Sequence, residues 1–274
     1  MPTVRQWYGG EGVPLHIEGD VEAPAAGWRS HRARLRDWLG SVPDPEWDGT
    51  TRCGLWDMTL LVRHLASGSQ FLGYTLHQAS AGEPTSLLRG FDPHATVQAA
   101  AAMLGDMTPA EVRDSMTFMD ASVDAECTTL ESVGWSMLAE APPGQVPADI
   151  AVSHFLFDSW VHEYDLLLPR GEHPVVDPLE VEVVVRYLVG LASLTTDSTT
   201  ALDVRLSDPG LRIGLTVAHG QRQVAVGSAP TGAAVIDGRA VAVVDYATGR
   251  EGGEVSGDVH GLAVLDGLAR VLTG

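Results

Sequence analysis

The chain contains no lysine and no asparagine, and it has only two cysteines. Nor has it an apolar run near the ~18 residues that would span a bilayer. Each absence removes a class of function. Without lysine there is no Schiff base to pyridoxal phosphate and no phosphate loop ending in Gly-Lys-Ser/Thr. Cys53 and Cys127, far apart in sequence, make neither a disulfide framework nor a thiolate-rich zinc site, and both read as reduced, buried small hydrophobes. Basic charge is scarce too: 17 basic residues, all arginine, face 36 acidic ones, for a net charge of -19. Such a surface repels polyanions, so nucleic acid is not an expected partner. The first residues lack the basic start and continuous apolar stretch of a secretion signal, and the expected location is the cytoplasm. No Gly-x-Ser-x-Gly elbow, dinucleotide fingerprint or calcium loop occurs. Lysine and asparagine have AT-rich codons, so their absence beside abundant Ala, Gly, Val and Arg points to a GC-rich genome, as in actinobacteria.

What is present is 274 residues, 45% of them hydrophobic, enough for one large domain or two modest ones. Residues 1–22 carry Gly9, Gly10, Gly12 and Gly19 without periodicity and read as an irregular leader. Trp28, Leu35, Trp38 and Leu39 have helical spacing, closed by Gly40 and Pro43. After a loop containing Trp47, Cys53 and Trp56, Asp57 is an N-cap candidate for a helix to about Ala79, on which Leu60, Leu61, His64, Leu65, Gly68, Phe71 and Leu72 recur at threes and fours. His64 therefore points inward. Thr108-Pro109-Ala110-Glu111 is a capping box that opens a third helix, to about Trp135. Following the Pro/Gly stretch 142–147, Asp149 to Leu168 is helical and apolar on most faces. Four helices with short connections predict a four-helix bundle.

The pattern changes near Arg170, which marks an expected domain boundary. Asp177, Pro178 and Glu180 cap a helix to about Leu194. Alternation then takes over at 202–206, 211–217 and 224–226, with His219-Gly220 as a hairpin turn, and two helices follow at about 239–248 and 262–272. The C-terminal piece reads as a small α+β domain, so the whole chain is mostly α with a second α+β domain.

The chemistry concentrates in the fourth helix. Residues four apart share a helix face, so Asp158 and His162 can converge on one ion, as can His154 and Asp158. His154 and His162, roughly 12 Å apart along the axis at ~1.5 Å per residue, stand near the limit for sharing a metal. A third ligand then comes from another helix, and His64 is the inward-facing candidate. Two imidazoles and a carboxylate with open positions describe a catalytic site for zinc or Fe(II) rather than a structural one. Spacing alone equally suits a local hydrogen bond between helix neighbours and a packed core histidine, the latter for His154 as well.

Two blocks carry a family resemblance. Trp47-Asp48-Gly49-Thr50-Thr51-Arg52-Cys53-Gly54-Leu55-Trp56-Asp57, leading into Leu61-Val62-Arg63-His64-Leu65-Ala66, resembles the start of the second helix of mycothiol-dependent maleylpyruvate isomerases and their DinB-like relatives. Phe157-Asp158-Ser159-Trp160-Val161-His162-Glu163-Tyr164-Asp165-Leu166 is similar to the last bundle helix of the same proteins. The resemblance implies a DinB-like metal-binding bundle over residues 23–170 and a sterol-carrier-like α+β domain over 171–274. It further implies a divalent metal, zinc or else iron or nickel, on His64, Asp158 and His162, with mycothiol as thiol cosubstrate. Asp158 stands where the isomerase pattern has Glu, one methylene longer. The implied function is thiol transfer to, or isomerisation of, a small electrophilic metabolite; maleylpyruvate-type cis–trans isomerisation is one alternative. A metal-free binding or scaffold protein that kept the fold is another. An anionic substrate needs a non-titrating cation, and Gly249-Arg250 resembles a Gly-Arg of related sequences, which ranks Arg250 first and Arg239 second; a helix-end arginine in solvent is the plain alternative for each. Asp165 and Glu163 could each orient a ligand histidine or move a proton, with a solvated or capping role the simpler one for Glu163. Trp47, Trp56 and Trp160 read as core, or as pocket walls.

Overall fold

The computed structural model describes residues 3–4, 13–54, 56–89, 92, 99, 105–196 and 198–273. It divides into two compact units, Pro24–Val175 and a second made of Met1–Ala23 with Val176–Gly274. No helix among the described residues is long and apolar enough to cross a membrane.

The first unit contains α1 (Ala23–Ser41), α2 (Met58–Ser80), α3 (Pro109–Val133) and α4 (Ala148–Leu167). Their starts follow from the expected caps. Asp57 accepts from the Leu60 N–H at 2.7 Å, and Thr108 and Glu111 form the reciprocal capping box of α3. Leu35, Leu39, Trp47, Leu61, Val62, Leu65, Met116 and Leu166 fill one core cluster. Between α3 and α4 the Pro/Gly stretch is not plain loop: β3 (Leu138–Ala141) and β4 (Gly144–Pro147) form a small antiparallel hairpin. Strands of four residues around Pro142-Pro143 leave too short an alternation to see in sequence.

Nearly every residue of α4 is buried, including Ser153, His154, Ser159, His162, Glu163 and Asp165. A helix buried on all sides must supply partners for its polar groups. On one side α1 supplies them. His31 Nε2 and Arg32 Nη1 each lie 2.9 Å from Ser159 Oγ, and Arg34 forms two 3.1 Å bonds to the Glu163 carboxylate. Glu163 is thus neither solvated nor a cap. Asp120 on α3 joins the same network, accepting from Arg32 Nε at 3.1 Å, Arg36 Nη1 at 2.6 Å and Ser69 Oγ at 2.8 Å.

The second unit is a seven-stranded mixed sheet in the order β1-β2-β7-β6-β5-β8-β9, with three helices. The strands are β1 (Thr3–Val4), β2 (Val13–Ile17), β5 (Leu202–Ser207), β6 (Gly210–Ala218), β7 (Gln221–Val226), β8 (Ala234–Gly238) and β9 (Val255–Gly257); the helices are α5 (Pro178–Leu194), α6 (Ala240–Ala247) and α7 (Val259–Thr273). The expected alternation gives β5 to β7, with His219 and Gly220 at positive φ in the two-residue turn between β6 and β7. The expectation of an irregular leader is corrected where it is described: β2 pairs parallel with β7, Leu15 opposite Arg222 and Ile17 opposite Val224. Gly9, Gly10 and Gly12 lie outside the described residues. A five-residue strand paired with a partner some two hundred residues later leaves no local signal, and α5 comes so close to it that a Cβ on Gly190 would stand 3.1 Å from Ile17.

Two outcomes follow. Asp120→Ala leaves Arg32 and Arg36 without their carboxylate in the bundle interior, at an expected cost of about 3–5 kcal/mol in urea unfolding. Cys127 on α3 is fully buried, and burial pushes its thiol up to about 12. In native protein at pH 8 an alkylating reagent therefore leaves Cys127 unmodified, and peptide mapping finds it labelled only after denaturation.

Candidate metal centre

The bundle brings together the three side chains the sequence singles out. His64 on α2 and Asp158 and His162 on α4 place one ligand atom each within 4.8 Å of one another. His64 Nε2 is 3.1 Å from Asp158 Oδ2, and His162 Nε2 is 3.5 Å from Asp158 Oδ1. Ligand atoms on a tetrahedron with bonds of ~2.0–2.1 Å stand roughly 3.3 Å apart, and the two separations from Asp158 lie close to that value. The imidazoles meet edge to face, centroids 5.0 Å apart at 84°. The shorter Asp158 carboxylate still reaches both.

Electrostatics agree with a compact charged cluster. Burial alone would raise Asp158, but the neighbouring His64 and His162 outweigh it and hold the carboxyl well below its usual range. For His162, burial works downward and is overcome by Cys53 and Asp158 and by its hydrogen bonds to Asp158 and Asp165, so the imidazole stays well above its ordinary value. His154, one turn earlier, differs. Burial pushes it down to about 4 against the opposing charge of Asp158, it packs edge-on against Phe155, and it does not belong to the His64, Asp158 and His162 group.

The far nitrogen of His162 is also engaged. Nδ1 lies 2.9 Å from Asp165 Oδ2, and that oxygen accepts from the thiol of Cys53 at 3.1 Å. Arg52 Nε is 3.6 Å from the other Asp165 oxygen. Cys53 is therefore not the buried bystander expected from sequence; it is half-buried and belongs to a second trio, Cys53, His162 and Asp165. No local signal reveals this, since 109 residues separate the thiol from the imidazole. Trp56 lies beside the site, its ring centroid 5.3 Å from His64 and 6.4 Å from His162, whereas Trp47 and Trp160 are core.

The two arginines expected to bind an anion belong to the other unit. Gly249 and Arg250 close α6 in a Schellman arrangement: Arg250 N–H donates to Asp245 O at 2.8 Å and Gly249 N–H to Tyr246 O at 3.2 Å. Gly249, at φ +70°, has no room for a Cβ, which would stand 2.3 Å from Thr273. The Gly-Arg pair thus has a structural reason of its own. Arg239 precedes α6 and pairs with Asp208 at 3.0 Å in an exposed ion pair.

No curated protein matches significantly. The solved mycothiol-dependent maleylpyruvate isomerase is similar in fold, with a TM-score of 0.61 at 19% identity over 88% of this chain and 94% of that one. A histidine-to-alanine mutant of it gives 0.60 over the same coverage. Residues 28–167, which contain His64, Asp158 and His162, match the model of the mycothiol maleylpyruvate isomerase N-terminal domain, and the chain belongs to that family.

Proposed function

We propose that this protein is a metal-dependent, mycothiol-using enzyme that isomerises a small electrophilic metabolite. The observation that carries the reading is the convergence of His64, Asp158 and His162, an N/N/O donor set suited to zinc, iron or nickel. The family supports mycothiol as the thiol. A divalent metal bound there would lower the pKa of a thiol reaching its open position and keep it as the reactive thiolate at neutral pH.

The chain's own residues have distinct tasks in this reading. His64, Asp158 and His162 hold the metal. Asp165, fully buried, takes the Nδ1 proton of His162 in a hydrogen bond and leaves Nε2 as the ligating atom, which favours orientation over proton transfer for this carboxylate. Trp56 stands beside both imidazoles, its ring centroid 5.3 Å from His64 and 6.4 Å from His162.

The direct test is elemental analysis and turnover of protein purified without a histidine tag. The expected result is about one equivalent of divalent metal, lost in His64→Ala and His162→Ala while the helical circular-dichroism signal persists. With mycothiol and maleylpyruvate, the loaded enzyme should isomerise substrate with total thiol unchanged; consumption of the thiol would instead identify an S-transferase. No metal after reconstitution with Zn²⁺ and Fe²⁺ would contradict the reading in favour of a binding or scaffold protein.

A further inference from the structure

The loop before α2 is built to deliver one thiol. Thr50 and Asp57 form an isolated antiparallel bridge across its base. Within it the Thr51 hydroxyl donates to Trp56 O at 2.7 Å and accepts from the Cys53 N–H at 3.0 Å. The loop is then tied to α4 by the Arg52 N–H to Asp165 O, 3.1 Å, by the Cys53 thiol to Asp165 Oδ2, 3.1 Å, and by a longer approach of Cys53 Sγ to His162 Nδ1, 3.5 Å. That Oδ2 is the atom that faces His162 Nδ1.

We propose that Cys53 is a positioning residue for the metal centre: its S–H, donated to Asp165 Oδ2, fixes the carboxylate that holds His162 with Nε2 turned toward Asp158 and His64. The inference rests on the metal reading above and extends it to a residue outside the ligand set. The thiol bond restricts rotation of the carboxylate about its χ angles, and through it the orientation of the imidazole. Anchored by the thiol on one oxygen and approached by Arg52 on the other, Asp165 has one orientation. The competing role, Cys53 as a ligand alongside Asp165 and His162 Nδ1, requires His162 to give up the Nδ1 proton. Nε2 already faces Asp158 at 3.5 Å and the His64 ring, so a single neutral imidazole serves the larger donor set only if Nδ1 keeps its proton.

The test compares parent, Cys53→Ala and Cys53→Ser by two readouts. The first is Zn²⁺ affinity by competition with a chromophoric chelator. The second is the His162 Nδ1 proton followed by NMR in metal-free protein. Serine keeps a donor on the same carbon; alanine removes it. The expected result is Zn²⁺ binding up to about tenfold weaker in Cys53→Ala, the lower end of the scale for losing the orienting partner of a ligand, since the thiol acts through that partner. The Nδ1 proton should exchange slowly in parent and Cys53→Ser and be lost to fast exchange in Cys53→Ala. Unchanged affinity and unchanged proton exchange in Cys53→Ala would overturn the proposal. Loss of metal in both variants, with no protected Nδ1 proton in the parent, would also overturn it and make the thiol a ligand. If the parent binds no Zn²⁺ the metal reading falls, and the proton-exchange comparison alone decides whether Cys53 positions His162.

Discussion

The structure turns on the burial of α4. A helix buried over nearly its whole surface cannot leave two serines, two histidines, a glutamate and an aspartate unpaired, because each orphaned polar group costs about 1–3 kcal/mol and a charged one more. The sequence answers with partners from three directions. α1 offers His31, Arg32 and Arg34 to Ser159 and Glu163; α2 offers His64 to Asp158; the loop before α2 offers Cys53 and Arg52 to Asp165. One consequence is mechanical. The network that satisfies Ser159 and Glu163 also fixes the rotation of α4, and that rotation decides whether Asp158 and His162 face His64.

The same logic separates the polar residues of α4 by role. Ser159 and Glu163 point at arginines and a histidine of α1 and are spent on packing. Asp158 and His162 point at one imidazole, with no arginine among the ligand trio, and Asp158 stays partly open to solvent, a side-chain exposure of 25%. A half-open carboxylate between two imidazoles is a poor way to stabilise a bundle and a good way to bind a cation. Asp165 stands between the two groups: wholly buried, yet hydrogen-bonded to His162.

The helices were largely legible because their signals are local. Asp57, Thr108 with Glu111, and Asp177 each mark a start within a residue or so, and the inward stripe on α2 identified His64. Asp158 and His162 were legible through their spacing of four and the motif around them. What escaped depends on distant pairing. β2 has meaning only beside β7, β3 and β4 only beside each other, and β8 and β9 are too short to display a period. Cys53 is the instructive case: its residue type and neighbours gave a bland core thiol, and only the fold brings it to Asp165. Glu163 was misread for the same reason, since its partners His31 and Arg34 sit on a helix some 130 residues earlier.

The central claim is that one metal ion sits on His64, Asp158 and His162, with Cys53 outside its coordination shell. X-ray absorption at the zinc edge of mycothiol-free protein tests it most directly. The account predicts a first shell of nitrogen and oxygen at about 2.0–2.1 Å with the outer-shell scattering of two imidazoles. A sulfur at about 2.3 Å in the absence of any added thiol would contradict it, because the only half-exposed thiol in the described structure would then be a ligand rather than a support.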